Sequence, residues 1–342
     1  MADKVRVALD AMGGDNAPGE IVKGAVLAVN EREELSVFLV GKEELIRKEL
    51  EGQTYPKDRI TIVNATEDIS CDEPPVYAVR KKRDSSIVVA MNLVHTGQAD
   101  AFVSAGSTGA VLVGAVIYIK RIRGVERTPL APLIPTEKGV SLLIDCGANV
   151  DAKPSQLLQF ARMGSIYMEN VVGIKNPTVG LVNVGVEEEK GNALVKDTYP
   201  LMKEMKDINF VGSVEAREIP HGAADVIVCD AFVGNVILKL YEGLASTLVS
   251  KIKEGMMSTT RGKIGGALAK PALKKTLKQF DASEHGGAPM LGLNGLVVKS
   301  HGNSNAKEIK NSLIQCITFV SQDIEGKIRE KLGASAGEGD EN

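Results

Sequence analysis

Tryptophan is absent and aromatic side chains make up only 4% of the 342 residues, so stacking platforms for nucleic-acid bases are scarce. The formal net charge is −3, which supplies no electrostatic footprint for nucleic acid, and none is expected as a partner. Cysteine is sparse: Cys71, Cys146, Cys229 and Cys316 lie far apart, with no C-x-x-C pair and no zinc spacing. A reduced cytosol fits that pattern, and Cys146 and Cys229, each at the end of an apolar run, read as buried thiols. The opening MADKVRVALD carries no apolar signal core, and no run approaches the ~20 residues of a membrane span. The closing ASAGEGDEN is polar and glycine-rich, so residues 333–342 are expected to form a disordered tail.

What is present is alternation. Short Val- and Ile-rich runs begin with VRVALD, LSVFLVG, RITIVNAT and DAFVSAG, and continue with SLLIDCG, TVGLVNVG, INFVGSV and DVIVCD. Helix-length patterns separate several of them, at 18–30, 84–96, 109–122, 154–170 and 191–206. Runs apolar throughout are those of strands buried on both faces, and the alternation predicts a parallel sheet covered by helices within one domain, 1–332.

Five of these strands end in small or polar clusters: DAMGGDN, SAGSTG, DCGANVD, NVGVEEEKGN and CDAFVGN. One would be turn chemistry; five on a parallel sheet point to strand ends converging on a crevice. The first offers Asp10, Gly13, Gly14 and Asp15, with Asn16 as a helix cap and Pro18 in the first turn. The second places Ser104, Gly106, Ser107, Thr108 and Gly109 between a strand and a helix start. Its backbone amides and hydroxyls suit a small anion, phosphate above all. It is not G-x-x-x-x-G-K-[ST], G-x-G-x-x-G or G-x-S-x-G, so no P-loop, dinucleotide fingerprint or nucleophile elbow is indicated.

Further candidates surround that anion. His301, the best placed of the four histidines (His95, His221, His285, His301), precedes a helix together with Asn303; it reads either as an acid/base or anion donor, or as part of a capping loop. Arg80, Lys81, Lys82 and Arg83 form a basic run that either is solvated or sends one or two cations to the anion. Asp145, Asn149 and Asp151, and Asp230 with Asn235, pair acids after strands with Asn before helices. Such carboxylates can hold Mg²⁺ or act as a base, but no H-E-x-x-H or facial pattern accompanies them, and neither metal nor cofactor is expected.

Taken together, ALDAMGGDNAP, VSAGSTGA, DCGANVDAKP, LVNVGVEEEKGN, CDAFVGNVILK and VVKSHGNSN resemble the acyl-ACP:phosphate acyltransferases of bacterial phospholipid synthesis, in order, from about residue 4 to 330. Two departures are GST where GNT is commoner and DAFVGN where DGFTGN is commoner; Ser107 keeps a polar donor, while Ala231 and Val233 alter the surroundings of Asp230. The resemblance implies an α/β/α sandwich similar to isocitrate and isopropylmalate dehydrogenases and to phosphotransacetylase. It implies transfer of a long-chain acyl group from acyl carrier protein (ACP) to inorganic phosphate, with the acyl phosphate passing to a membrane glycerol-3-phosphate acyltransferase. A homodimer, cytoplasmic and peripheral to the inner membrane face, is implied as well.

No Ser-His-Asp or Cys-His arrangement is visible in the sequence, and direct transfer to phosphate needs none, because the dianion is the nucleophile. On this reading Ser104, Gly106, Ser107, Thr108 and Gly109 cradle phosphate, and Arg80 or Lys82 balances its charge. Asn235 or His301 polarises the carbonyl, and Asp10, Asp15 and Asp230 orient these groups, with Gly13, Gly14, Asn149 and Asn303 lining the crevice. Residues 261–278 hold Arg261, Lys263, Lys270, Lys274, Lys275 and Lys278 without an acid, interleaved with Ile264, Leu268, Leu273 and Leu277. They are expected to contact membrane or ACP, with the run broken or bent at Pro271 into a helical hairpin. Residues 305–332 are expected to form one core helix through Ile309, Leu313, Cys316, Ile317, Val320, Ile324 and Ile328, with a dimer seam as a second use. Two other functions stay open: a nicotinamide-dependent decarboxylating dehydrogenase of the same fold, and a non-enzymatic scaffold at the membrane surface.

Overall fold

The computed structural model describes residues 4–279 and 286–333; His285 and residues 334–342 of the expected tail lie outside them. The order is β1 (Val5–Asp10), α1 (Gly19–Glu31), β2 (Leu35–Gly41), α2 (Glu43–Leu50), β3 (Ile60–Asn64), α3 (Pro75–Lys81), α4 (Ser86–His95) and β4 (Ala101–Ser104). Then follow α5 (Thr108–Gly114), β5 (Leu133–Thr136), β6 (Gly139–Ile144), α6 (Pro154–Tyr167), β7 (Thr178–Asn183), α7 (Ala193–Glu204), β8 (Asn209–Glu215) and β9 (Val226–Val228). The chain continues with α8 (Ala231–Met257), α9 (Thr260–Gln279), β10 (Ala288–Pro289), β11 (Leu296–Lys299), α10 (Ala306–Ser321) and α11 (Ile324–Gly333). Wider π turns extend α5 over Ala115–Ile119 and α6 over Met168–Val172.

The strands form two sheets, six-stranded in the order β10-β11-β4-β1-β2-β3 and five-stranded in the order β5-β6-β9-β7-β8. All pairings are parallel except at one edge of each sheet, where β10 and β5 run antiparallel. These two edge strands carry Pro289 and Pro135, and an edge is where a residue without an N–H donor is tolerated. Residues 129–132 join the sheets. Ala131 N–H donates to Pro289 O at 3.0 Å and Leu291 N–H to Pro129 O at 3.1 Å on one side; Leu143 N–H donates to Pro132 O at 3.0 Å on the other. One apolar core, containing Val7, Leu9, Val103, Leu142, Val226 and Ile309, crosses both sheets.

All eight expected strands are present. The three not expected are β5, β10 and β11, each four residues or fewer, too short for alternation to register. Asn16 does not cap α1. Pro18 occupies the cap position without a side-chain bond, and the Asn16 amide donates instead to Asn303 O at 2.9 Å. Residues 305–332 form two helices, not one: the chain turns at Asp323, whose φ is +47°, and the Asp323 carboxylate accepts from Gly326 N–H at 3.2 Å. Ile309, Leu313, Cys316, Ile324 and Ile328 are buried, with Ile317 and Val320 packed against them. Pro271 does not break its helix. It sits inside α9, costing one intrahelical bond, and the hairpin turn falls at Ser258–Thr259, between α8 and α9.

Candidate active site

Asp10 ends β1 and is wholly buried. Its carboxylate accepts from Ser104 Oγ–H at 2.7 Å and from Met12 N–H at 3.1 Å, and burial raises its pKa above the usual carboxylate value. Ser104 Oγ in turn accepts from Gly106 N–H at 2.9 Å. The first two loops touch backbone to backbone: a Cβ on Gly13 would lie 2.3 Å from Asp10 Oδ2 and 2.8 Å from Gly106 N. A third loop closes the set, with Asp15 N–H donating to Gly302 O at 2.7 Å. Gly14, at φ +104°, lies so close that a Cβ there would stand 2.9 Å from the same carbonyl.

Adjacent strands β1, β4 and β11 therefore bring Asp10–Asp15, Ser104–Gly109 and Lys299–Asn303 into one glycine-lined nest. Ser107 caps α5, its Oγ accepting from Ala110 N–H at 3.4 Å, so an α-helix N-terminus opens at the nest. Gly109 serves packing instead. A Cβ there would meet Pro75 Cγ at 2.7 Å, so its bareness admits α3 rather than an anion.

The second sheet contributes a facing cluster. Asp145 is buried, and its oxygens accept from the N–H groups of Leu130 (2.9 Å), Gly147 and Ala148 (3.2 Å each) and Asn149 (2.8 Å), and from the Asn149 amide at 2.7 Å. Donors so fill it that its role is to shape the loop. Asn149 also donates to Thr128 O at 2.9 Å. Asp230 caps α8 through Val233 N–H at 2.8 Å, and α8 sits tight on the sheet, since a Cβ on Gly234 would fall 1.8 Å from Asp145 O. The Asn235 side chain has no hydrogen-bond partner among the described residues and stands two turns before Glu242 on α8. His301 reaches across to that helix, with Nε2 3.8 Å from Glu242 Oε2 and Nδ1 2.7 Å from Asn303 Oδ1.

Two expected charge partners are elsewhere. Lys82 is committed to Glu73 at 2.6 Å and to Asp68 O at 2.8 Å. Arg80 lies at the far end of α3, in a separate cavity with Arg83, Val88, Asn92, Ile117 and Tyr118. The cation that the sequence reading missed is Lys299. It is buried, stands opposite Ser104 in the β11–β4 register and donates to Ser300 O. Burial pulls its pKa down to about 8, opposed by the nearby Cys71, Asp10 and Asp15. Its signal was a lone cation closing the apolar run LVVK just before Ser-His-Gly-Asn.

Of the basic segment, Arg261, Lys263 and Lys270 are exposed on α9, as are Ile264 and Leu268 (61% and 79%), while Leu273 is half-buried. The side chains of Lys274, Lys275, Leu277 and Lys278 lie outside the described residues. Cys146 and Cys229 are buried thiols, and burial raises both pKa values.

Residues 5–327 match a family model described as fatty acid synthesis protein. A Clostridium botulinum protein named phosphate acyltransferase is 50% identical over 327 residues, 96% of this chain and 97% of its own. Its Clostridium perfringens counterpart, named likewise, is 49% identical over 328 residues with the same coverage. Among solved structures, a Streptococcus pyogenes phosphotransacetylase superposes with TM-score 0.62 at 20% identity, over 93% of this chain and 94% of that one. A Staphylococcus aureus phosphotransacetylase does so at 0.58 and 18% identity, with the same coverage. These two similarities show the α/β fold.

Proposed function

The chain belongs to this fatty acid synthesis family, whose curated relatives are phosphate acyltransferases, and from that premise we propose that it moves a long-chain acyl group from acyl-ACP to inorganic phosphate. The observation that carries the reading is the nest of three strand-end loops with a buried lysine at its base. Backbone amides around Gly13 and Gly106, the α5 N-terminus and the Lys299 ammonium together suit a phosphate dianion.

The reaction needs no protein nucleophile. A phosphate oxygen attacks the thioester carbonyl carbon, the carbonyl oxygen takes up negative charge, and the C–S bond then breaks. The proton of hydrogen phosphate goes to the departing thiolate, giving acyl phosphate and a free thiol. Lys299 and the nest hold the nucleophile; Thr108, at the mouth, adds a hydroxyl. The Asn235 amide, in the first turns of α8, and His301, in the loop after β11, are the donors for the carbonyl oxygen. Asp10 fixes Ser104 and the backbone of the nest, and Asp230 fixes the start of α8, so both act by positioning.

The expected product feeds a membrane glycerol-3-phosphate acyltransferase, and the surface suits a cytoplasmic protein resting on the inner membrane face. Helix α8 exposes Phe232, Val236, Leu240, Leu244, Leu248 and Ile252 at four-residue intervals. Such a stripe matches the ridge of a second copy in a homodimer. Helix α9 carries the exposed Ile264 and Leu268 beside its cations, a pattern suited to an anionic lipid surface.

The deciding experiment incubates acyl-ACP with and without phosphate, following free ACP and a hydroxylamine-reactive acyl product, with acyl-CoA as the alternative donor. Phosphate-dependent release of both, faster from ACP than from CoA, is expected. Release that ignores phosphate would refute the reading.

A further inference from the structure

The fold sets a second basic site apart from the nest. A cavity of about 570 Å³ opens between α3, α4 and the π turn after α5, lined by Arg80, Arg83, Val88, Asn92, Ile117 and Tyr118. Neither guanidinium has a hydrogen-bond or ion-pair partner among the described residues. The nearby Asp84 is already engaged by Thr66, which donates from both N–H and Oγ–H. The Tyr118 hydroxyl donates to Val79 O at 3.5 Å, holding the ring as a wall. Lys81, over the Tyr77 ring at 5.5 Å, and Lys120 and Arg123, just beyond the π turn, are exposed cations that flank the lining residues in sequence. Two unpaired forks with an amide and an apolar wall suit an organic phosphate joined to a less polar chain.

The cavity also lies along the same pair of helices as the nest. Helix α3 runs alongside α5, with Pro75 against Gly109 at one end and Val79 against Tyr118 at the other. At the helical rise per residue, the nine steps from Gly109 to Tyr118 span roughly 13 Å and the four from Pro75 to Val79 roughly 6 Å, so the cavity wall lies within about 13 Å of Gly109. A pantetheine arm, whose backbone has the length of a little over four residues, reaches roughly 15 Å when extended. Seated with its phosphodiester between the guanidiniums, the arm brings its thioester to the mouth of the nest.

We propose that the Arg80–Arg83 cavity binds the phosphodiester at the root of the acyl donor's pantetheine arm, with the acidic surface of the carrier protein against the exposed cations that flank it in sequence. This rests on the reading of the donor as acyl-ACP. Charge complementarity selects the occupant, because an acidic carrier presents its phosphodiester amid carboxylates, which Lys81, Lys120 and Arg123 meet.

The test compares two donors with the same acyl chain: acyl-ACP, and an acyl-pantetheine that lacks both phosphate and protein. In Arg83→Glu, kcat/KM for acyl-ACP should fall at least about ten-fold relative to that for acyl-pantetheine, mostly through KM, with Arg83→Lys intermediate. An unchanged donor ratio would overturn the proposal. So would a parallel loss for both donors with a raised KM for phosphate, which would assign the cavity to the attacking anion. An unchanged ratio with lost sedimentation on phosphatidylglycerol vesicles would assign it to a lipid headgroup. If wild type makes no acyl phosphate at all, the functional reading fails by itself. The cavity is then judged by the anisotropy of fluorescent holo-ACP on wild type and Arg83→Glu: weaker binding by the variant sustains the site, and equal binding removes it.

Discussion

Lys299, the last residue of β11, lies directly opposite Ser104, the last residue of β4, in a parallel register. That pairing sets a buried lysine on the strand next to the serine whose hydroxyl anchors the nest to Asp10. Loss of the cation should therefore be felt in phosphate use. In Lys299→Met, kcat/KM for phosphate should drop by roughly 10²–10³, the size of a lost charge-directed donor. The pH profile adds a sign. Burial holds the Lys299 pKa at about 8, so the cation is present below that value and lost above it. Wild-type kcat/KM for phosphate should decline as pH rises through about 8, and the variant should lack that limb. Stability moves the other way. Between about 8 and the unfolded value of 10.5 the unfolded chain binds more protons, so wild-type stability rises with pH there, and the variant should not show the rise.

Gly13 is a steric prediction. A methyl group there would enter the Asp10 carboxylate at 2.3 Å and the Gly106 amide at 2.8 Å. The Gly106 amide is backbone, and the buried Asp10 carboxylate is held in place by Ser104 Oγ–H and Met12 N–H. Gly13→Ala should destabilise the fold by about 1–3 kcal/mol through overpacking and raise KM for phosphate. Gly243, within α8, has nothing within 4 Å of its ideal Cβ; Gly243→Ala should gain up to about 1 kcal/mol. Urea titrations of the two variants check the contrast.

Asp230 and Asn235 separate structure from chemistry within two turns of α8. Asp230→Ala removes the cap on Val233 N–H and should cost about 1 kcal/mol of stability. Asn235→Ala removes an amide with no partner among the described residues, so its melting temperature should stay near wild type while kcat falls. A large melting loss in Asn235→Ala would show that the amide is structural.

The parallel core was legible because its strands are buried on both faces: VRVALD and LSVFLVG announce themselves by composition alone. The convergence of their ends was legible too, because glycine and aspartate have little reason to cluster after five strands. What escaped were facts of three dimensions. Proximity to phosphate cannot be read from a basic run, and helical geometry carries Arg80 away from the nest while Glu73 claims Lys82. Lys299 was hidden by the brevity of β11. Asn16 was misread because its amide N–H group donates to the carbonyls of Asn303 and Ser304, nearly three hundred positions away, and the cap position falls to Pro18. Pro271 was misread because propensity judges a helix alone, whereas α9 lies along α8.

Leu268 decides how the hairpin is used. It is 79% exposed and Ile264 is 61% exposed, on a helix segment whose charged residues from Arg261 to Lys278 are all cations. Each cation near an anionic leaflet contributes roughly 1 kcal/mol, and not all can reach it at once. Insertion of the two apolar side chains adds about 1.5–3 kcal/mol each when fully buried. The sum supports a reversible, salt-sensitive contact and falls short of an anchor. Leu268→Glu should therefore leave phosphatidylglycerol vesicles at salt concentrations where wild type still co-sediments, while retaining acyl phosphate formation in solution. The stripe on α8 gives a separate readout, since Leu244→Glu should shift sedimentation from dimer to monomer and Leu268→Glu should not. Equal vesicle binding by wild type and Leu268→Glu would show that the lipid contact lies elsewhere. A fall in ACP-dependent turnover without loss of vesicles would reassign α9 to the carrier protein.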